Sequence, residues 1–218
     1  MALSREQIAK RVAQELQDGF YVNLGIGIPT LVANYVPENM EVMLQSENGL
    51  LGMGQFPTEE EIDADLINAG KQTVTMATGA SIFDSAESFA MIRGGHVDLT
   101  VLGAFEVDVN GNIASYMIPG KLIKGMGGAM DLVAGADNII VTMTHASKHG
   151  VSKLLNNCTL PLTGKGCIKK VLTDLAFIEI KNGKFHLLER APGVTVEEII
   201  KLTEGELIVT GDVPEMVF

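Results

Sequence analysis

The sequence has no tryptophan, few aromatic residues and only two cysteines among its 218 residues. Because aromatic residues make up 5% of the chain, its 11 methionines and its aliphatic residues must fill most of the core. Two cysteines are too few for a disulfide scaffold or a structural zinc site, and we expect Cys158 and Cys167 to be reduced, buried thiols. The chain also lacks the long apolar run of a membrane span, so no membrane partner is predicted.

Positive charge is also scarce, because the chain has 16 Lys and Arg but 27 Asp and Glu, which gives a formal net charge of −11. Nucleic-acid binding needs a basic face, so this balance argues against a nucleic-acid partner. A phosphorylated small molecule is still compatible, since a few lysines and backbone amides can bind it. The first residues lack the layout of a secretory signal, and a cytoplasmic location is therefore expected.

Glycine, by contrast, is abundant at 24 residues, and the chain is 46% hydrophobic and 20% charged, as in a globular protein. Apolar segments alternate with helical patterns, which predicts an α/β fold with an open, mainly parallel sheet flanked by helices. Asn-Gly pairs at 110–111 and 182–183 predict hairpins, so we expect the sheet to be mixed. No linker or repeat interrupts the chain, which favours one domain over residues 1–218.

Capping patterns predict where helices begin. Ser4 followed by Gln7 fits a capping box, with Gly19 placed to end that helix. Thr195 and Glu198 repeat the same box near the end of the chain. A further helix is predicted over 84–92, and strands are predicted over 20–24, 42–45, 73–76, 97–102 and 139–143.

A carboxylate follows the second predicted strand. Residues 42–45 lead into Ser-Glu-Asn-Gly at 46–49, and the Asn-Gly pair marks a sharp turn. In an open α/β sheet, ligands bind at the carboxyl ends of the strands, so Glu47 could act there as a nucleophile or a base. A solvated loop glutamate explains the same pattern, and spacing alone does not separate the two explanations.

Glycine-rich turns and paired histidines are weaker signals. The turn at 125–128 could present N–H groups to an oxyanion, or it could mark a close crossing with no room for side chains. The turn at 25–29 lacks the third glycine of a dinucleotide fingerprint, which argues against a nicotinamide cofactor. His145 and His149 are four residues apart, but no third ligand has suitable spacing, so no metal is predicted.

Other polar residues could reach the same edge of the sheet. Asn23 follows the first strand closely and could lie near Glu47, or it could simply pair with a turn. Lysines are candidates for phosphate contacts, although most lysines in a protein are only solvated. The candidates are Lys71, Lys121, Lys124, Lys165, Lys169 and Lys170.

Six segments together resemble the B subunit of family I 3-oxoacid CoA-transferases. The similarity runs from about residue 8 to the end of the chain, with the segments in the family's order. They are 21–30 (YVNLGIGIPT), 45–54 (QSENGLLGMG), 65–71 (DLINAGK), 88–96 (SFAMIRGGH), 117–121 (MIPGK) and 124–132 (KGMGGAMDL).

The resemblance implies that Glu47, in the Ser-Glu-Asn-Gly motif, is the catalytic nucleophile and carries CoA as a glutamyl thioester. It implies that the Gly128 amide helps to form an oxyanion hole, and that Asn23, Lys71 and Gly127 lie in the substrate and CoA site. Such a chain works with a second, A-type CoA-transferase subunit, for example in an A2B2 assembly, on an acyl-CoA and a short-chain 3-oxoacid. It needs no cofactor, because the CoA thioester is a substrate.

The chain departs from the family at Ser115 and Tyr116, where Asn-Trp is common, and this leaves its substrate preference open. Succinyl-CoA with acetoacetate is the first expectation, followed by acetate or butyrate exchange with acetoacetate. Two other functions fit the residues less fully. In a sugar-phosphate isomerase Glu47 would be a base, and a catalytically silent subunit would bind CoA esters without modification at Glu47.

Overall fold

The computed structural model describes residues 2–218, which form four α-helices, one 3₁₀ helix and 15 strands. The helices are α1 Arg5–Ala13, the 3₁₀ helix Pro29–Tyr35, α2 Ser85–Arg93, α3 Ala129–Gly135 and α4 Val196–Leu202. The strands are β1 Tyr21–Leu24, β2 Met43–Ser46, β3 Leu50–Met53, β4 Met76–Ile82, β5 Leu99–Gly103, β6 Glu106–Asp108, β7 Ile113–Ala114, β8 Met117–Ile118, β9 Leu122–Ile123, β10 Ile139–Met143, β11 Leu154–Leu155, β12 Lys170–Thr173, β13 Ala176–Lys181, β14 Lys184–Arg190 and β15 Leu207–Ile208.

Ten of these strands form one sheet in the order β15-β14-β13-β12-β10-β5-β1-β2-β3-β4. Its centre, β2-β1-β5-β10-β12, is parallel throughout. Antiparallel strands extend it on both sides, with β3 and β4 beyond β2, and β13 and β14 beyond β12. The predicted α/β fold with an open, mainly parallel mixed sheet is therefore confirmed.

The core lies along the central strands, whose sequences are almost entirely apolar. Strand β10 is buried at all five positions, and β5 is buried at four of five, as expected for parallel strands covered on both faces. Helix α1 buries Ile8 and Val12 and packs against the 3₁₀ helix. The 3₁₀ helix in turn contacts β1 and β5, and α1 contacts β12, so both elements pack on the parallel centre of the sheet.

Several local predictions hold at residue level. The capping boxes of Ser4 with Gln7 and of Thr195 with Glu198 are both formed. The turn at 182–183 has both residues at positive φ, as a tight hairpin requires. Helix α1 ends at Ala13, however, and the predicted end at Gly19 is wrong. Gly19 lies in the turn before β1, with a φ of +82°.

The strand predicted over 73–76 is also wrong. Within that segment Thr73 forms an isolated bridge with Ile67, and only its last residue belongs to a strand, β4, which begins at Met76 and continues to Ile82. Six of the seven residues of β4 are exposed, so no buried apolar pattern marks the strand in the sequence. Among residues 2–218, no helix is both long and apolar enough to cross a lipid bilayer.

Candidate active site

Glu47 lies in a tight turn that joins the antiparallel strands β2 and β3. The Gly49 N–H donates to the Ser46 carbonyl at 3.0 Å and closes the turn. Gly49 has a φ of +115°, and a Cβ there would collide with the Phe83 carbonyl, so only glycine fits. The predicted sharp turn is confirmed, and it places the glutamate at the carboxyl end of a parallel strand.

The Glu47 carboxylate faces the backbone of Gly127 and Gly128, just before α3. A Cβ on Gly127 would lie 3.7 Å from Oε1, whereas a Cβ on Gly128 would collide with Oε2. The same Gly128 Cβ would lie 3.0 Å from the ring of Phe89. Gly127 and Gly128 therefore leave no room for a side chain at Gly128, and they also let the backbone approach the Glu47 carboxylate closely. The sequence had left these explanations as alternatives.

Electrostatics make Glu47 less acidic than an ordinary glutamate. Partial burial is the largest effect and raises the pKa of its carboxyl. The nearby backbone N–H of Gly128 lowers this pKa, and the negative charge of Asp131 raises it, with a net change upward. Asp131 is itself paired with Arg93 of α2, at 2.7 Å. A half-buried carboxylate with a raised pKa is typical of groups that act in chemistry.

Asn23 lies within the sheet and not at its open edge. It is 3% exposed, and its Nδ2 donates to Oε1 of Gln45 at 2.5 Å. The two residues are paired in register between β1 and β2. Asn23 thus supports the strand that leads to Glu47, and its contact with substrate stays a prediction.

Lys71 lies in a loop that is hydrogen-bonded to the two residues on either side of Glu47. Ser46 Oγ accepts from the Ala69 N–H at 2.9 Å, and the Asn48 Nδ2 donates to the Ile67 carbonyl at 2.7 Å. Lys71 is exposed, and its φ of +62° is uncommon for a residue other than glycine. The structure therefore brings this loop to the turn that carries Glu47, while the contact of Lys71 with CoA stays a prediction.

Sequence reasoning missed two buried polar residues that are hydrogen-bonded to each other next to the Glu47 turn. Gln45 and Ser88 are 2% and 0% exposed, and Nε2 of Gln45 donates to Oγ of Ser88 at 2.6 Å. A signal was present, since Asn23 and Gln45 are polar residues in otherwise apolar strands. Aligning the two strands in parallel would have placed these side chains next to each other.

The histidine and cysteine candidates lie elsewhere. His145 is fully buried, its ring nitrogens lie 2.9 Å from the hydroxyls of Thr173 and Thr203, and burial lowers its pKa to about 4. The expectation that both cysteines are buried is wrong, because both are half-buried. Burial raises the pKa of the Cys167 thiol to about 11, and that of Cys158 also rises, which disfavours the reactive thiolate.

Comparison with known proteins gives this geometry a context. Residues 5–202 match the family described as Coenzyme A transferase. The chain is 57% identical over 213 residues to the B subunit of the probable succinyl-CoA:3-ketoacid coenzyme A transferase of Bacillus subtilis, covering 98% of this chain and 99% of that one. It is 51% identical to the beta subunit of the acetate CoA-transferase of Haemophilus influenzae, covering 98% and 95% of the two chains.

A solved structure supports the fold independently. The apoenzyme of the acyl-CoA transferase YdiF from Escherichia coli O157:H7 superposes with a TM-score of 0.78 at 22% identity. The match covers all of this chain and 45% of that one. The chain belongs to the coenzyme A transferase family, and CoA transfer is the activity of its class.

Proposed function

We propose that this chain is the catalytic subunit of a CoA-transferase that moves CoA between an acyl-CoA and a 3-oxoacid. The observation that carries the proposal is the close approach of the Glu47 carboxylate to the Gly128 backbone, in a half-buried setting that raises the pKa of the carboxyl. The names of the bacterial relatives support succinyl-CoA with a 3-ketoacid, such as acetoacetate, as the first substrate pair. Exchange with acetate is the next candidate.

The first half-reaction moves the acyl group onto the protein. An oxygen of the Glu47 carboxylate attacks the thioester carbonyl carbon, the C–S bond breaks, and CoA leaves as a thiolate. The product is a mixed anhydride between the acyl group and the glutamyl side chain. Water would hydrolyse this anhydride, so the site must exclude it during the reaction.

The second half-reaction leaves CoA on the protein. The thiolate attacks the glutamyl carbonyl carbon of the anhydride, the bond between that carbon and the bridging oxygen breaks, and the donor acid leaves as a carboxylate with the bridging oxygen. The remaining glutamyl-CoA thioester then reacts with the acceptor carboxylate through the same steps in reverse. The thioester energy is conserved throughout, so we propose that neither ATP nor a resident cofactor takes part.

The Gly128 N–H has a specific place in this sequence. When the thiolate attacks the glutamyl carbonyl, negative charge develops on an oxygen that was part of the Glu47 carboxylate. The Gly128 backbone lies directly against that carboxylate in the free chain, and its N–H favours the charged form of the carboxylate. A preorganised donor of this kind contributes about 3–4 kcal/mol to a transition state elsewhere, and we propose the same role here.

The rate should fall in acid, because protonated Glu47 cannot attack a thioester. Since the pKa of this carboxyl is raised, the acid limb of the curve of kcat/KM against pH should lie above the ordinary pKa of glutamic acid. Asp131→Asn removes a negative charge that raises this pKa, so the acid limb should move to lower pH. The measurement is kcat/KM against pH. Asp137→Asn, just after α3, is the matched control and should leave the limb in place, and an unmoved limb in the Asp131 variant would contradict this assignment.

We also propose that the chain works with a different, second subunit, since the relatives reported above are named as the B or beta subunits of their enzymes. Strand β4 offers a surface for it, because it forms an edge of the sheet, has no charged residue and is exposed at six of seven positions. An open edge of this kind is a ready template for pairing and is usually protected. The Phe83 N–H, directly after β4, donates to the Gly49 carbonyl at 3.0 Å, so a partner there would lie beside the turn at 46–49 that carries Glu47, here called the nucleophile turn.

Ile82→Asp should therefore weaken association with the co-expressed second subunit. The side chain at 82 is 68% exposed in the single chain, so the change should cost little folding stability. Ile200→Asp on α4, at 49% exposure, is the matched control and should co-purify normally. Analytical ultracentrifugation of both variants also gives the stoichiometry, for which we propose A2B2. Equal association of the two variants would exclude β4 from the interface.

The direct test of substrate class is an assay with both subunits, succinyl-CoA and acetoacetate, in which acetoacetyl-CoA formation is followed. Replacing succinyl-CoA by acetyl-CoA or butyryl-CoA ranks the donors. Formation of acetoacetyl-CoA from any of them supports the proposal. Binding of CoA esters without turnover would favour the catalytically silent subunit, and turnover of a sugar phosphate would favour the isomerase.

A further inference from the structure

We propose that Ser88 of helix α2 is a positioning residue that aligns the Glu47 carboxylate with the Gly128 amide. This inference rests on the proposed function of these two groups. It concerns a residue that does not belong to the nucleophile turn and is fully buried, at 0% exposure. Its hydroxyl is the point at which α2 meets the end of β2.

The Ser88 hydroxyl contacts the last two residues of β2, where the turn around Glu47 begins. Its Oγ accepts from Nε2 of Gln45 at 2.6 Å and lies 3.5 Å from the Ser46 carbonyl, to which it can donate. That same carbonyl accepts the Gly49 N–H that closes the turn around Glu47. The hydroxyl therefore holds the last two residues of β2, immediately before the nucleophile.

The same helix also sets the position of the opposing group. Phe89, the next residue of α2, has a ring atom 3.0 Å from the place where a Cβ on Gly128 would stand. One helical turn further on, Arg93 binds Asp131 of α3 at 2.7 Å. Helix α2 thus contacts the turn that carries the carboxylate and the segment that carries the amide, and it fixes the separation between them.

Burial makes the serine contact hard to replace. Gln45 is 2% exposed, and its Oε1 is already used by Asn23, so loss of the Ser88 hydroxyl leaves Nε2 without an acceptor among the contacts described. The amide of Gln45 would then turn toward another partner and carry the strand end with it. Small displacements of a reacting group are costly, because attack requires near-contact geometry.

The test uses three variants in the complete enzyme. Ser88→Ala removes the hydroxyl, Ser88→Thr keeps it, and Ser152→Ala is a control that deletes a partly buried serine hydroxyl bonded to the Leu154 carbonyl, remote from the turn. The first readout is the rate at which acyl-CoA produces the covalent CoA adduct, together with KM. The second is amide hydrogen exchange of the segment 45–51, which does not depend on catalysis.

We expect Ser88→Ala to form the adduct roughly 10- to 100-fold more slowly, with KM for acyl-CoA nearly unchanged, because Ser88 does not touch the substrate. Ser88→Thr should recover most of the rate, and Ser152→Ala should match the wild type. Exchange over 45–51 should be faster in Ser88→Ala only. A normal adduct rate in Ser88→Ala would overturn the inference.

Two further outcomes also decide it. If Ser88→Thr is folded yet as slow as Ser88→Ala, side-chain volume and not the hydroxyl is responsible, and the inference fails. If the wild type forms no adduct, the proposed function fails, and the positioning role is then tested by amide hydrogen exchange alone. Faster exchange over 45–51 in Ser88→Ala than in Ser152→Ala then supports it, and equal exchange overturns it.

Discussion

Glu47→Gln is expected to lose CoA-transferase activity by on the order of 10⁴-fold or more, as is typical when a covalent nucleophile is removed. Glutamine keeps the shape of the side chain and can still accept a hydrogen bond from Gly128. Its amide oxygen is not a competent nucleophile toward a thioester, so both half-reactions stop at the first step. The measurement is steady-state turnover of the variant purified with its second subunit.

Glu59→Gln provides the matched control, because it makes the same chemical change at an exposed glutamate in the loop after β3. It should leave turnover unchanged. The Glu47 variant should also keep its unfolding temperature and its association with the second subunit. Near-normal turnover by a folded Glu47→Gln enzyme would refute the assignment of the nucleophile.

Gly128→Ala is the second change with a large expected effect. A Cβ at this position would collide with the Glu47 carboxylate and crowd Phe89, so either the carboxylate or the amide must move. We expect turnover to fall roughly 10²- to 10³-fold, as when an oxyanion donor is lost. The φ of Gly128 is −82°, which suits any residue, so backbone strain does not explain the loss. The measurement is kcat for acyl transfer, with the unfolding temperature recorded in parallel.

The control for this change is Gly103→Ala, at the end of β5. A Cβ there would lie 3.8 Å from the Ile26 carbonyl, which is an ordinary contact. Gly103→Ala should retain turnover, although it adds a methyl group at the same edge of the sheet. If Gly128→Ala is as active as this control, turnover does not depend on the close approach of the Glu47 carboxylate to the Gly128 backbone.

The parts of the fold that depend on local chemistry could be predicted from the sequence. The capping boxes, the Asn-Gly hairpins and the apolar central strands each depend on residues close together in the chain. The position of Glu47 followed from the same kind of evidence, since a strand and an Asn-Gly turn define the end of β2. The sharp turn at Gly49 was likewise found from neighbouring residues.

What could not be predicted depends on contacts between distant segments. Nothing near Glu47 in the sequence indicates that Gly128 lies against its carboxylate, because the two residues are far apart in the chain, and only the family resemblance assigned both to one site. Strand β4 was missed because its exposed residues show no apolar alternation. For Asn23 the sequence left open whether it reaches the edge near Glu47 or pairs with a turn, and the register between β1 and β2 places its side chain against Gln45.

These observations also explain why the recognised motifs are spread along the chain. The segments 45–54 and 124–132 supply the carboxylate and the amide, and 65–71 forms the loop attached beside them. The segment 88–96 lies mainly on α2, which contacts the end of β2 before Glu47 through Ser88 and α3 through Arg93. Four of the six segments thus lie around one turn at the carboxyl edge of the sheet.

The intact mass of this chain, purified with its second subunit, then incubated with succinyl-CoA or acetoacetyl-CoA, tests the central claim most directly. The account predicts a covalent gain equal to CoA less water, located on Glu47 and absent from Glu47→Gln. Because a thioester reacts with hydroxylamine, the gain should disappear when that reagent is added. A folded, assembled enzyme that transfers CoA with no adduct, or with an adduct that persists in Glu47→Gln, would contradict it.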